Sequence, residues 1–438
     1  MNNKKRNILV VGGGGREATL VWKLNDCPRI GRIYCAPGLG GDIIPAENVD
    51  IAVDDFDGLA KLAVDNKVGL TIVGPEIPLV KGIVDYWENE GLVDKGYRIF
   101  GPNAAAAQLE GSKIFAKEFM IKEGIPTAAY QKFGDYNTAL AYVKEQGPPI
   151  VIKAEGLAAG KGAIVCQTLE KATNALKKIM LDKEFGVAGN QVVIEEFMRG
   201  EEASILALVD GKNILTLMSS QDHKPVYDND QGDNTGGMGA YAPAPIVTES
   251  VSQLVMYQIL RPIVDGMAKK GTPYKGCLYA GLMIKNGQPK VVEFNCRFGD
   301  PETQPILTML ENAPGNDLAS LLYACTNGTL DQHEVINKKG AAICVVMASG
   351  GYPGSYKKDK MIYGVDAANR MEGIQVFPAG VKLVGKTLYT AGGRVLDVTA
   401  QGSDIAQAIE RAYAPIKTGN IGFKDAHFRN DIGAKALR

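Results

Sequence analysis

Short apolar runs alternate with amphipathic stretches over the first hundred residues. Runs at 8–11, 32–36, 49–53, 70–73 and 98–100 read as strands, and 16–24 and 57–66 as helices. Such alternation predicts an α/β region with a doubly wound, mostly parallel sheet, whose ligands lie beyond the C-terminal strand ends. After Gly101-Pro102-Asn103 a helix is expected from about 104, and a second begins at Ser112, a plausible N-cap. Residues 127–197 form a compact α/β unit: helix 138–146, a strand ending at Lys153, strand 163–166, helix 169–181 and strand 192–196. Apolar strands resume at 204–209 and 214–218. From about 338 the pattern turns β-rich, with strands at 341–347, 382–384, 388–389 and 394–399 and a helix near 404–413. Three regions result: 1–110, 111–330 containing a mobile lid at about 127–197, and an α+β region at 331–438 reached through a linker near 325–338.

Composition narrows the class. The chain has 438 residues, 45% of them hydrophobic and 22% charged, which suits large buried cores and excludes a disordered chain. A net charge of −1 gives no electrostatic case for nucleic acid or an anionic membrane surface, so any anion site is local. The seven cysteines are scattered without a Cys-x-x-Cys and suit reduced, packed thiols. The three histidines are too far apart in sequence for a spacing-based metal motif. Lys4, Lys5 and Arg6 precede only four apolar residues, too few for a signal segment, and no run approaches membrane-spanning length. A soluble cytoplasmic protein is expected.

Glycine punctuates the strand ends where chemistry would lie. Ile150, Val151 and Ile152 deliver Lys153 into a loop holding Gly156, Gly160, Lys161 and Gly162. Without Cβ atoms such a loop can bring backbone N–H groups to a polyanion, while the strand-end lysine supplies fixed charge. It lacks the P-loop spacing, and a plain glycine-rich hairpin turn is an equal reading of the loop alone. The first strand runs into Gly12, Gly13, Gly14, Gly15, Arg16 and Glu17, the second into Ala36-Pro37-Gly38, the fourth into Gly74, Pro75 and Glu76. The strict dinucleotide fingerprint fails at Glu17 and no acid ends the second strand, so a phosphate on a small substrate fits better than NAD. Lys113 falls in a first helical turn, where a cation opposes the helix dipole and hints at a compensating anion.

Three later stretches add donors. Glu195, Glu196, Phe197 and Met198 cross between lobes towards Glu202, a pattern that could read adenine through backbone groups and a ribose through a carboxylate. Asp222, His223 and Lys224, and then Gly237, Met238 and Gly239, sit in polar or glycine-rich loops. If 291–297 is extended, Glu293, Asn295 and Arg297 share one face while Phe294 and Cys296 enter the core; Gly299, Asp300, Pro301 and Glu302 follow as a turn. Two hard oxygen donors beside a guanidinium suit magnesium on nucleotide phosphates.

In this order the motifs resemble the ATP-grasp ligases, and more narrowly the phosphoribosylamine–glycine ligase family. The stretches 11–17, 72–76, 108–113, 153–162, 220–224, 234–239 and 293–302 carry the resemblance over nearly the whole chain. It implies an ATP-grasp fold and a monomeric enzyme of purine biosynthesis that ligates glycine to 5-phosphoribosylamine through a glycyl phosphate, with ATP and Mg2+ or Mn2+. By the same resemblance Lys113 and Lys153 contact ATP phosphates under the loop 156–162, Glu195 to Met198 hold adenine and Glu202 the ribose. Glu293 and Asn295 hold the metal, and Arg297 and Lys153 are catalytic. The loops at 14–17, 74–76, 222–224, 237–239 and 299–302 form the phosphoribosylamine and glycine pocket. Gly13 and Ala18 stand where the family commonly has Asn and His. Another ATP-grasp ligase or carboxylase, or a non-catalytic nucleotide-binding protein, shares this scaffold.

Overall fold

The computed structural model describes residues 5–158 and 162–437. Five parallel strands form the first sheet: β1 (Arg6–Gly12), β2 (Ile30–Pro37), β3 (Glu47–Asn48), β4 (Val68–Val73) and β5 (Arg98–Phe100), in the order β3-β2-β1-β4-β5. Ile8, Leu9, Val10 and Val11 are fully buried, as a central strand covered on both faces must be. The order reverses beside β1, so a crevice opens between the ends of β1 and β4. The third strand lies upstream of the expected 49–53. Asn48 Oδ1 accepts the Leu39 N–H at 2.9 Å and Ile51 N–H folds back onto the Val49 carbonyl, so pairing stops there. Val49, Ile51 and Val53 still pack on the core.

The next unit is an antiparallel sheet of β6 (Tyr130–Phe133), β7 (Ile150–Ala154), β8 (Ala163–Cys166) and β9 (Val192–Glu196), ordered β6-β9-β7-β8. Its own core joins Ile152, Val192 and Ile194 to Ala139, Val143, Leu176 and Ile179 of its helices. The expected helix 169–181 is α-helical over Leu169–Leu176 and finishes in a wider π turn, Lys177–Leu181. Facing this unit is a second antiparallel sheet, β11-β10-β16-β17, from β10 (Glu201–Asp210), β11 (Ile214–Thr216), β16 (Lys275–Lys285) and β17 (Gln288–Asn295).

The stretches around 222 and 239 form strands where loops were expected. β12 (Gln221–Asp222) and β15 (Gly239–Ala242), separated by the ribbon β13 (Pro225–Tyr227) and β14 (Gln231–Asn234), join the C-terminal sheet, β15 pairing with β18 (Ala341–Ser349). Strands Arg394–Gly402 and Ile374–Pro378 extend it. Helix Thr303–Met309, buried along its whole length, packs against both the first sheet's helix Gly15–Asn25 and this sheet. The stretch 325–338 is pinned and not a free linker: helix Leu318–Asn327 runs into it, Leu330 N–H donates to Asp210 at 3.0 Å, and Lys338 N–H to the Met309 carbonyl at 2.7 Å. All seven cysteines are buried and unpaired.

Candidate active site

A cleft of about 450 Å³ lies between the two antiparallel sheets and reaches the crevice of the first sheet. At the crevice the glycine turn is ordered by an acid. Glu17, 2% exposed, accepts Gly14 N–H at 2.7 Å through Oε2 and pairs with Arg16 Nε at 2.6 Å through Oε1. Arg16 also donates to the Phe298 carbonyl at 3.1 Å. A Cβ on Gly74 would stand 2.0 Å from Glu17 Oε1, and one on Gly15 would stand 1.9 Å from Asp397 Oδ2, so a side chain at either position would push a buried carboxylate aside. Arg16, Pro75 and Glu76 line the cleft; Gly14, Gly15, Glu17 and Gly74 shape it from behind.

Ser112 caps helix Lys113–Lys122 by accepting Phe115 N–H, as expected. Its hydroxyl also donates to Glu155 Oε1, while Glu155 Oε2 accepts Ile114 N–H at 3.0 Å. Lys113 Nζ donates to the Gly156 carbonyl at 2.7 Å, and burial holds its pKa below the usual lysine range. The loop's base is thereby bolted to the helix start. Gly156 and Gly162 line the cleft; Gly160 and Lys161 lie outside the described residues.

Lys153, 4% exposed, pairs with Glu195 Oε2 at 2.9 Å and donates to the Val292 carbonyl at 3.0 Å. Glu195 also pairs with Lys117 at 3.2 Å, so it serves as counter-ion to two buried lysines, a role not read from the sequence. Glu196, Phe197, Met198 and Glu202 line the cleft with Val151, Val165 and Met283, an apolar wall beside a carboxylate.

β17 ends at Asn295, so Arg297 lies just past the strand. Phe294 and Cys296 are buried in the core and Glu293, Asn295 and Arg297 face the cleft, as alternation requires. Lys224 Nζ stands 3.2 Å from Glu293 and 3.4 Å from Glu202. Lys224 holds the Glu293 carboxyl down at about 2; burial opposes the Lys224 charge, but Glu293 and Glu202 raise its pKa above the lysine range. Among the described residues no three His, Cys, Asp or Glu side chains gather to hold a metal alone. The ionised Glu293 and the Asn295 oxygen therefore fit a hard cation that brings phosphate oxygens as its remaining ligands.

Arg297 is clamped from three sides: Glu110 Oε1 at 2.8 Å, Asn295 Oδ1 at 3.1 Å and Glu76 Oε2 at 3.3 Å. Glu110 Oε2 accepts Cys296 N–H at 2.7 Å. Burial raises the Glu110 carboxyl; at Glu76 burial acts the same way, but Arg297 and Arg16 bring its carboxyl below the usual range. Nearby, Arg394 of the C-terminal sheet pairs with Asp300 Oδ2 at 2.9 Å and donates to the Gly236 carbonyl at 2.8 Å. Glu302 accepts from Tyr279 at 2.7 Å and Ser204 at 3.2 Å. Burial, with Glu302 next, raises the Asp222 carboxyl well above its ordinary value.

His223 does not face the cleft. At the end of β12 and just beyond it, Asp222 and Lys224 face inward and His223 outward, where its ring lies tilted against Tyr241 and 3.2 Å from the Gly239 carbonyl; burial lowers its pKa to about 4. Met238 is likewise buried in the C-terminal region and Gly239 backs onto Cys344, so Asn234, Thr235 and Gly236 line the cleft in place of Gly237, Met238 and Gly239. Gly299 and Pro301 do not line it, whereas Asp300 and Glu302 do. Four titratable cleft residues were missed. Glu110 lies within a motif already singled out, and Lys117 stands one turn after Lys113 on the same helical face. Tyr279 and Arg394 carry no local signal.

Two antiparallel sheets holding paired lysines and a Glu-x-Asn strand over one cleft define an ATP-grasp enzyme. The chain matches the N domain of phosphoribosylglycinamide synthetase over residues 6–110, its ATP-grasp (A) domain over 111–303 and its C domain over 342–435, and it belongs to that family. It is 51% identical over 434 residues to a phosphoribosylamine–glycine ligase of Vibrio vulnificus strain YJ016 and 50% identical to one of Escherichia coli O6:H1, with 98% of each chain covered. The crystal structure of phosphoribosylamine–glycine ligase from Thermotoga maritima superposes with a TM-score of 0.79 at 29% identity, over 97% of this chain and 100% of that one. A biotin carboxylase from Campylobacter jejuni shares the fold at 13% identity and a TM-score of 0.69, over 99% of this chain and 95% of that one.

Proposed function

We propose that this cleft ligates glycine to 5-phosphoribosylamine, with ATP cleaved to ADP and phosphate and glycinamide ribonucleotide as product. A carboxylate is a poor acyl donor because its oxide leaving group is too basic. The glycine carboxylate oxygen therefore attacks the γ-phosphorus of ATP, and the bond to the bridging oxygen breaks with its electron pair leaving on ADP. The amine of phosphoribosylamine then attacks the acyl carbon of the glycyl phosphate, phosphate departs with the C–O electron pair, and the amine nitrogen loses a proton. Such transfers depend on positioning and charge neutralisation more than on a base.

The observation that carries this reading is the clamp on Arg297. Glu76 at the crevice, Glu110 before the Ser112 cap and Asn295 on β17 fix one guanidinium where the substrate crevice meets the nucleotide cleft. In that place it neutralises the transferring phosphoryl and the acyl phosphate. Lys113 and Lys153 hold the ATP phosphates beside Gly156 and Gly162, Glu196 to Met198 hold adenine and Glu202 the ribose. Glu293 and Asn295 hold Mg2+ or Mn2+, which offsets phosphate charge. Arg16, Glu76, Asp222, Asp300, Glu302 and Arg394 surround glycine and the amine. The enzyme acts as a cytoplasmic monomer, without a nucleic-acid or membrane partner; a dimer in light scattering would reject the monomer.

Purified protein is expected to release ADP only when glycine and freshly generated phosphoribosylamine are both present, and Glu293→Ala to abolish release at ordinary Mg2+ or Mn2+. Unchanged turnover with bicarbonate or another amino acid in place of glycine rejects the substrate assignment.

A further inference from the structure

Lys117 is 2% exposed in the wall of the nucleotide cleft, with acceptors or a counter-ion on three sides of its ammonium. Nζ lies 2.9 Å from Thr127 Oγ1, 3.2 Å from the Ala128 carbonyl and 3.2 Å from Glu195 Oε1. Two hydrogen bonds and an ion pair thus turn this ammonium towards the protein rather than towards a ligand. Lys153 differs. Among the described residues its ammonium meets Glu195 Oε2 at 2.9 Å and the Val292 carbonyl at 3.0 Å, fewer partners than its three donors could take.

These contacts close a ring. Thr127 donates to the Val291 carbonyl at 2.7 Å and accepts from Lys117; Lys117 meets Glu195, Glu195 meets Lys153, and Lys153 returns to the Val292 carbonyl. Val291 and Val292 lead into Glu293. The β16–β17 register pairs Gly281 with Glu293 and Leu282 with Val291, so Val292 is a bulge residue left without a cross-strand partner and its carbonyl can accept Lys153. Two ammoniums and one carboxylate leave a net single positive charge, and among the described residues Lys153 has fewer partners than Lys117.

We propose that Lys117 is a positioning residue: through Glu195 it fixes Lys153 against the bulge of β17 and so sets the phosphate-binding ammonium in register with Glu293. This rests on the reading of Lys153 as a nucleotide ligand. Lys117 fastens one Glu195 oxygen so that the other is held towards Lys153. Without Lys117 the buried carboxylate keeps, among the described residues, only Lys153 as counter-ion and draws that ammonium away from the ligand.

The test is ADP binding with magnesium, read by calorimetry, because it depends on neither glycine nor the amine. Lys117→Met is expected to weaken binding about tenfold, Lys117→Arg to recover most of that, and Lys117→Met/Glu195→Gln to cost no more than the larger single change, since residues acting as a unit are non-additive. Folded Lys117→Met with unchanged affinity, or losses that simply add, overturns the proposal. Should Lys117→Met fail to fold, Thr127→Val removes one acceptor of Lys117 and should still weaken binding several-fold at an unchanged melting temperature; unchanged affinity there also overturns it. If the unaltered protein binds no ADP, the nucleotide reading fails instead.

Discussion

Asp397 lies 1% exposed on strand Arg394–Gly402, with Oδ2 accepting from Gln304 at 2.8 Å and Oδ1 without a hydrogen-bond partner among the described residues. Burial, and then Asp300, push its carboxyl up to about 7. A folded pKa above the unfolded value means the folded state holds the extra proton between about pH 4 and 7. The stability this contributes is present below about pH 4 and lost as the pH rises through 7. Asp397→Asn is therefore expected to flatten the fall in melting temperature between pH 4 and 7 and to melt higher than the unaltered protein at pH 8. An unchanged pH profile would show that the carboxyl is already ionised. No local pattern marks this residue, because its raised pKa comes from burial in the assembled fold and then from Asp300, almost a hundred positions away. Lys113, Lys153 and Glu293 were legible, since each sits at a strand end, a helix start or an alternating position whose geometry the local sequence dictates. His223 was not, because its place in a polar stretch says nothing of which face a two-residue strand presents.

Among elements, helix Lys113–Lys122 shows how a local signal acquires a distant role. Ser112 before it reads as a cap, and the structure adds the bond from its hydroxyl to Glu155 on the loop that follows β7. Ser112→Ala should lower stability by about 1 kcal/mol through the lost cap, seen in thermal unfolding. It should also raise the KM for ATP by loosening the loop's base, seen in initial rates; a lower melting point with unchanged KM would confine Ser112 to helix capping. Strands 8–11 and 192–196 were plain from apolar runs. β12, β13, β14 and β15 were not, because strands of two to four residues are too short to show an alternating pattern, β14 has the composition of a loop, and all four are ordered by their partners.

At the scale of the whole molecule the C-terminal sheet is shared property. β15 comes from the middle of the chain and pairs with β18, while Arg394 returns from the far side of that sheet to hold Asp300. A chain ending at residue 338 would leave β15 and the buried faces of Tyr241 and Met238 uncovered. It is expected to yield no cooperatively melting protein by circular dichroism, whereas the full chain melts cooperatively. A stable, active truncated chain would show that the sheet is dispensable to the site.

Residue order alone was enough for the alternating α/β start, the capped helix at Ser112, the lysine leading into glycines and the Glu-x-Asn strand, since periodicities of 2.0 and 3.6 and the steric freedom of glycine are local properties. Tertiary structure decided which charges meet. Arg297 with Glu76 and Glu110, Lys224 with Glu293, and the ring from Val291 through Lys117 and Glu195 to Lys153 join residues up to 221 positions apart. Burial and Coulomb attraction act through space, so no window of sequence contains them. The lysine that begins the glycine loop was readable; the acid that holds it in place, and the second lysine that holds the acid, were not.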